Sequence, residues 1–372
     1  MIFVGKSSLC MIHFNTSEEV EKMKKTLCIG LVTVMIMAFS TVVFGEGTGE
    51  GIKFGLVVTS TLGDKAMADM TWAGLNQLKE EYPDIEIKVY ESPNGATDWE
   101  PNLIAASTDN DFVFVTASSM GDILGEKIAP AYPDTKYVSI DYYLDGFDNV
   151  ACCSFACNEV SFLLGSIAGL MTENTDIPGI NSEKIVAWIS GMEAPVNIDY
   201  YTGFKAGVEY TCPDATVLQS WTGTYKDPLL AKEMTKALIS QGADVICPVL
   251  SSAAVGCHEA CRDEGVYSFF LDIDSDDVYP GTVVTTGLKN SNVITYNYGK
   301  DYIEGKFSPE FSLLGLESGG MDITDMHVIK ETLGDDFPQE IIDKAQEIRQ
   351  DIIDGNIHVP FNPEARPADF EG

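Results

Sequence analysis

Two hydrophobic rhythms alternate along the chain. From residue 52 onward, short unbroken apolar runs exchange with longer stretches in which apolar residues recur every three or four positions. Residues 52–58 read as a strand and 67–81 as a helix, with Trp72, Leu75 and Leu78 on one face. Strand 85–90, helix 99–108, strand 112–116, helix 121–131 and strand 136–141 follow. The rhythm then restarts: helix 161–173, strand 185–189, helix 199–210, strand 215–221, helix 229–241, strand 245–249, helix 253–264, strand 267–272 and a last strand 282–286. A helix at 291–305, an irregular tail and a helix at 338–355 complete the chain. This alternation predicts an α/β fold of two doubly wound parallel-sheet lobes, with a cleft between them.

The first 45 residues follow neither rhythm. Met23, Lys24 and Lys25 precede an uncharged apolar run, 26–44, that has the form of a secretory signal; cleavage is expected after Gly45, with 46–52 as a linker. Residues 1–22 have no place in such a signal and read as an over-extended start at which Met23 is the better first residue. The competing reading is an uncleaved membrane anchor, since the run has about the 18–20 residues that a spanning helix needs.

Charge narrows the partners. Asp and Glu number 57 against 23 Lys and Arg, a formal net charge of −34. Such a surface repels nucleic acid and anionic lipid alike. Seven cysteines follow Gly45, an odd number whose pairing the sequence does not give. Cys257-His258-x-x-Cys261 lies in a helical pattern with no second cluster at zinc-ligand spacing, so it reads as core and no metal is expected.

In a doubly wound sheet the carboxyl ends of the strands face the crevice. The polar positions there are Thr59, Ser60 and Thr61; Thr116, Ala117, Ser118 and Ser119; Asp141 and Tyr142; Ser190, Gly191 and Met192; Ser251 and Ser252; and Asp272, Asp274 and Asp276. Hydroxyls and a few carboxylates dominate, and no histidine is among them. There is no G-x-S-x-G, G-x-x-x-x-G-K-[ST], H-E-x-x-H or G-x-G-x-x-G at a strand end, so a catalytic nucleophile or base has no evident place and no enzyme activity or cofactor is expected. The set suits a polyhydroxylated or heterocyclic small molecule, with Tyr200 or Trp99 available to cover a ring face.

Eight segments, in order, resemble the BMP (basic membrane protein) family of ABC-transporter substrate-binding proteins, similar to purine nucleoside receptors of the PnrA-like type. They are "GDKAMADMTWAGL", against the family's D-K-S-F-N-Q-x-x-W-x-G-L, then "DWEPNL", "PDTKYVSID", "FLLGSIAGLMT", "ISGMEAPVNIDYYTGFKAGV", "DPLLAKEMTKALISQGADVI", "DIDSDD" and "LKNSNV". The resemblance implies a type I periplasmic-binding-protein fold whose three hinge crossings fall near Phe155, Lys289 and Ser308. The first lobe is then 53–154 with 290–308, and the second 155–289 with 309–372. It also implies that Asp141, Asp274 and Lys289 anchor ribose and base and that Tyr200 stacks on the base, while Asp64 and Met192 line the cleft. Ser251 and Ser252 stand for glycines of the family's G-G-T-G loop. Thr59 replaces an Asp or Asn, and Met67-Ala68 replaces Phe-Asn. The implied function is a monomeric receptor that hands a nucleoside to an inner-membrane ABC permease. No small residue precedes Cys10 or Cys28 as a lipobox requires, and no Cys follows Gly45, so a soluble periplasmic protein is expected.

Overall fold

The computed structural model describes Gly49 and residues 51–63, 67–116 and 119–368. The expected signal at 23–45, the segment 1–22, and Asp64, Ala117 and Ser118 lie outside the described residues.

The first sheet is built from β1 (Lys53–Val57), β2 (Glu86–Tyr90), β3 (Phe112–Thr116), β4 (Lys136–Ile140) and β5 (Val150–Phe155). Between these strands run α1 (Met67–Glu81), α2 (Ala96–Asp109) and α3, which covers Gly121–Ile123 and continues into a π turn at Leu124–Ile128. The chain then crosses into α4 (Cys157–Glu173), β6 (Ile185–Ser190), α5 (Pro195–Thr211), β7 (Thr216–Trp221), α6 (Pro228–Ile239), β8 (Ala243–Val249), α7 (Ala254–Glu264), β9 (Tyr267–Asp272) and β10 (Val283–Lys289). It returns as α8 (Ser291–Ile303) and β11 (Phe311–Leu314), and crosses back for β12 (Met321–Ile323), α9 (His327–Leu333) and α10 (Gln339–Ile353). The two sheets have six strands each, in the orders β11-β5-β4-β3-β1-β2 and β12-β10-β9-β8-β6-β7. All pairings are parallel except β10 with β12.

Central strands such as β3 are buried at every position, as expected for a parallel sheet covered on both faces. On one face of the first sheet, Phe54, Phe112 and Phe114 pack with Tyr302 of the returning α8. In the second lobe α4 and α5 touch backbone to backbone: a Cβ on Gly165 would come 2.0 Å from the Phe204 carbonyl, and one on Gly207 2.0 Å from that of Phe162. This contact holds α5 against α4, while Val196 and Asn197 of its first turn line the cavities of the site.

Three expectations are corrected. Strands β5, β11 and β12 were not foreseen. Phe311–Leu314 pairs in parallel with Cys152–Phe155, so the third crossing falls after β11 and not near Ser308, and residues 311–314 belong to the first sheet. Helices α4 and α5 begin at Cys157 and Pro195, ahead of the expected 161 and 199. Helix α4 is buried nearly all round, which leaves no amphipathic period to mark its start. Pro195 sits at the first helical position, where its fixed φ and missing N–H cost nothing.

Candidate functional site

The ends of β4, β5, β9 and β10 converge. Lys289, the last residue of β10, donates from Nζ to Asp141 Oδ2 at 2.6 Å, and only 18% and 19% of the two side chains are exposed. The same Nζ lies 4.4 Å from the centroid of Phe155, the last residue of β5. Leu288 is in register with Asp272 at the end of β9. Burial alone would pull the Lys289 ammonium below its ordinary value, but the nearby acidic groups, Asp141 foremost, outweigh it and hold the group above that value. Asp272 is exposed at the end of β9; the protein crowded around its carboxyl nonetheless shifts it upward, with Lys289 opposing and Asp141 adding to the rise.

The backbone is strained at the same place. Asp141 (φ 62°), Ser251 (φ 47°) and Asp272 (φ 78°) all sit in the left-handed region although none is glycine. Such conformations persist where surrounding structure enforces them, and they cluster at binding sites.

Three cavities border Lys289. One, of about 220 Å³, opens into the second lobe among Tyr200, Tyr225, Phe270, Ser251, Asn197 and Asp272. Tyr200 is 6% exposed, and burial raises its phenol well above the ordinary range. Tyr225 lies over Gly191, where a Cβ would come 2.4 Å from its ring. Asn197 Nδ2 donates to the Tyr225 hydroxyl oxygen at 2.6 Å and to the Met192 carbonyl at 2.7 Å, fixing that ring. A second cavity, about 120 Å³, is walled by Met67 and Met70 from α1 and by Asp272, Ile273 and Ser291. The third, about 620 Å³, lies between Asp141, Tyr142, Phe155 and Val196 and a carboxyl-terminal strap that includes Glu364 and Arg366.

The strap is tied down by charge. Arg366, 3% exposed, donates to Asp199 Oδ2 (2.9 Å) and Asn158 Oδ1 (2.8 Å), and the fully buried Asp199 also accepts from the Asn362 backbone N–H at 2.8 Å.

Of the expected site residues, Asp141, Lys289, Tyr200, Ser251 and Met67 meet around these cavities. Ser252 is exposed, its hydroxyl donating to the Tyr225 carbonyl at 3.2 Å. Met192 is 53% exposed, and Ala68 is 3% exposed in the core of the first lobe. Thr59 engages its backbone, its N–H donating to Thr116 Oγ1 and its carbonyl accepting from Trp99 Nε1, both at 3.3 Å. Asp274 is exposed, accepts from the Asp276 N–H at 3.3 Å, and is not among the residues lining the three cavities. Asp272, likewise exposed, lines two of the cavities at Lys289. Asn197, Tyr225 and Phe155 were not singled out as ligand contacts; the available signals were the strand-end position of Phe155 and the loop position of Tyr225 beyond β7. Asp276 is a structural group, accepting from Thr286 and Thr324 hydroxyls at 2.6 Å.

All seven described cysteines are buried and unpaired. Among the described residues no group of three His, Cys, Asp or Glu is placed to hold a metal ion, and no helix is long and apolar enough to cross a membrane. The arrangement offers a charged acid-lysine-acid end that matches vicinal hydroxyls and an aromatic end that matches a ring.

Comparison with known proteins agrees with the architecture. The sequence profile described as "Bmp: ABC transporter substrate-binding protein PnrA-like" matches residues 52–362. Basic membrane protein D of Borreliella burgdorferi is 23% identical over 348 residues, 91% of this chain and 96% of that protein. An uncharacterized lipoprotein of Pyrococcus horikoshii is 24% identical over 362 residues, 89% of this chain and 87% of that one. Among solved structures, an ABC-transporter solute-binding protein from Aeropyrum pernix K1 superimposes with a TM-score of 0.66 at 26% identity, over 83% of this chain and 94% of that one. GanP, a glucose-galactose binding protein from Geobacillus stearothermophilus, shares the fold at 14% identity and a TM-score of 0.52, over 74% of this chain and 97% of that one. The chain belongs to the Bmp family of PnrA-like ABC-transporter substrate-binding proteins, and its two lobes are those of a type I periplasmic solute-binding protein.

Proposed function

We propose that the protein is the extracytoplasmic receptor of an ABC importer and that it captures a purine nucleoside or closely related compound in the interlobe cleft. One observation carries the reading: the charged group Asp141–Lys289–Asp272 and the aromatic cavity of Tyr200, Tyr225 and Phe270 share a border at Lys289. A molecule with a hydroxylated half and a flat half fits both. The first-lobe wall is Met67, whose polarizable sulfur packs on a ring less favourably than an aromatic would. Closure of the lobes about Ala156, Asn290 and the segment after β11 sequesters the ligand, and the closed monomer delivers it to a permease. The ligand leaves chemically unchanged. Cleavage after Gly45 releases a periplasmic form.

A second reading, a sugar or sugar derivative as cargo, is favoured by the absence of an aromatic at Met67 and by the acid-lysine-acid group, which suits any polyol. A thermal-shift screen separates the two. Saturation at a hundred times the dissociation constant adds about 2.7 kcal/mol. Stabilisation by guanosine, inosine or adenosine supports the nucleoside reading, and stabilisation by sugars alone replaces it. Intact ligand recovered after long incubation is expected; conversion to product would identify an enzyme instead.

A further inference from the structure

The carboxyl-terminal strap is fastened to one lobe and borders the other. Asn158, two residues past the crossing at Ala156, donates from Nδ2 to the carbonyls of Val359 and Pro360 at 3.4 and 3.3 Å. Asn362 Nδ2 donates to the Pro195 carbonyl, at the start of α5, at 2.9 Å. Together with the buried Arg366–Asp199 pair, these bonds make the strap part of the second lobe, so it travels with that lobe when the hinge turns.

Its far end lies at the first lobe. Pro367 borders the 620 Å³ cavity together with Tyr143 and Phe311, and the same three residues border a further cavity of about 290 Å³ beside Leu144 and Cys152. Tyr143 and Phe311 pack edge to face, with ring centroids 5.7 Å apart and 88° between planes. The strap therefore meets the first lobe at apolar surface with open space on two sides, whereas its hold on the second lobe is a desolvated ion pair. Apolar surface flanked by voids forfeits part of its dispersion energy, so it is the end that parts first. Position decides which motion parts it. The 620 Å³ cavity has Asp141 and Phe155 of the first lobe on one side and Val196 of the second on another, which puts the strap on the cleft side of the crossings. Opening the cleft draws the strap away from Tyr143 and Phe311, and closing brings them together.

We propose that residues 361–368 are a clasp: anchored in the second lobe through Arg366, they grip the first lobe at Tyr143 and Phe311 and favour the closed receptor over the open one. The clasp rests on the reading that the lobes close about a ligand, and it is indifferent to which ligand that is. It raises the closed fraction of the empty protein, and through that fraction it raises the apparent affinity for cargo.

The test is small-angle X-ray scattering of the ligand-free protein, with guanosine titration by calorimetry, on wild type and on two variants that release opposite ends of the strap. Tyr143→Ala removes the first-lobe grip at a residue that is 37% exposed, where truncation spares the core. The double variant Asp199→Asn, Arg366→Met frees the second-lobe end without leaving a buried charge. Without ligand, both should show a larger radius of gyration than wild type. Both should also bind guanosine at least about fivefold more weakly, the low end of the usual coupling between separate sites. Unchanged scattering in Tyr143→Ala overturns the clasp, and a fall in its guanosine affinity all the same would make Tyr143 a plain ligand contact. Wider scattering with guanosine affinity unchanged overturns it too, because a ligand selective for the closed form binds more weakly when that form is rarer. Wider scattering in a protein that binds no guanosine in any form leaves the clasp in place and removes the nucleoside reading. Tyr143→Ala decides alone if the double variant does not fold.

Discussion

Replacing Arg366 by Met should cost the protein about 3–5 kcal/mol at neutral pH, the usual penalty for leaving one member of a buried pair without its partner. The structure places this case at the severe end. The Arg366 and Asp199 side chains are 3% and 0% exposed, and the guanidinium also serves Asn158 Oδ1. Loss of the pair leaves Asp199 with only the backbone N–H groups of Asn362 (2.8 Å) and Asn158 (3.2 Å). The cost should depend on pH with a definite sign. Burial already raises the Asp199 carboxyl above its ordinary value, with Arg366 foremost among the groups opposing the rise. Without the guanidinium the carboxyl rises further. A carboxyl raised in the folded state binds its proton more tightly folded than unfolded, so it favours the fold below its unfolded value and the benefit disappears as pH rises through the folded one. The deficit of Arg366→Met should therefore be small near pH 4 and full at pH 7, and Asp199→Asn in the same chain should recover much of it. Urea unfolding at the two pH values reads this directly. A variant within about 1 kcal/mol of wild type at pH 7, or one equally destabilised at both pH values, would refute the argument that the strap is held by a desolvated ion pair.

Other perturbations follow from the same geometry. Asp141→Asn, which tolerates the left-handed backbone, should weaken ligand by about 10- to 100-fold through loss of a charge-assisted bond near Lys289, measured by calorimetry; unchanged affinity would remove Asp141 from the site. Asp272→Gly relieves a φ of 78° and should leave the ligand-free protein as stable or up to about 1 kcal/mol more stable while weakening binding, and an unaltered dissociation constant would make Asp272 purely structural. Asp244, buried and accepting from the Asn181 N–H at 3.2 Å, is raised to about 6 by burial. Its contribution is present below about pH 4 and lost as pH rises through about 6, so wild-type stability should fall over that window more than in Asp244→Asn; parallel curves for the two would contradict it. Gly191→Ala forces a Cβ to within 2.4 Å of the Tyr225 ring and should reduce affinity by displacing that ring, visible as a loss of thermal shift with the same ligand.

The two wheels of strands and helices were legible because β1, β3, β4, β6, β8 and β9 are short, mostly apolar runs set apart by amphipathic helices. Strand β5 was not, because Val150–Phe155 passes into α4 with only Ala156 between, leaving no turn signal at its end. Strands β11 and β12 have four and three residues, and their partners are Cys152–Phe155 and Gly287–Lys289, so pairing distant in sequence decides them rather than local pattern. Asp141, Tyr200 and Lys289, expected at the strand ends and from the family resemblance, line the cavities that meet at Lys289. Of the two aspartates, Asp272 and not Asp274 lines the cavities at Lys289. A left-handed turn at Asp272 redirects the chain just past β9, and nothing in an Asp side chain announces such a turn as a glycine would.

The most direct test of the central claim is calorimetric titration of one protein preparation with guanosine, guanine, ribose and glucose. If the charged and aromatic compartments at Lys289 act together on one ligand, guanosine should bind at least about 100-fold more tightly than either of its halves, because one molecule engages both without a second loss of translational freedom. Binding of ribose or glucose as tightly as guanosine, or no response to guanosine, would contradict it.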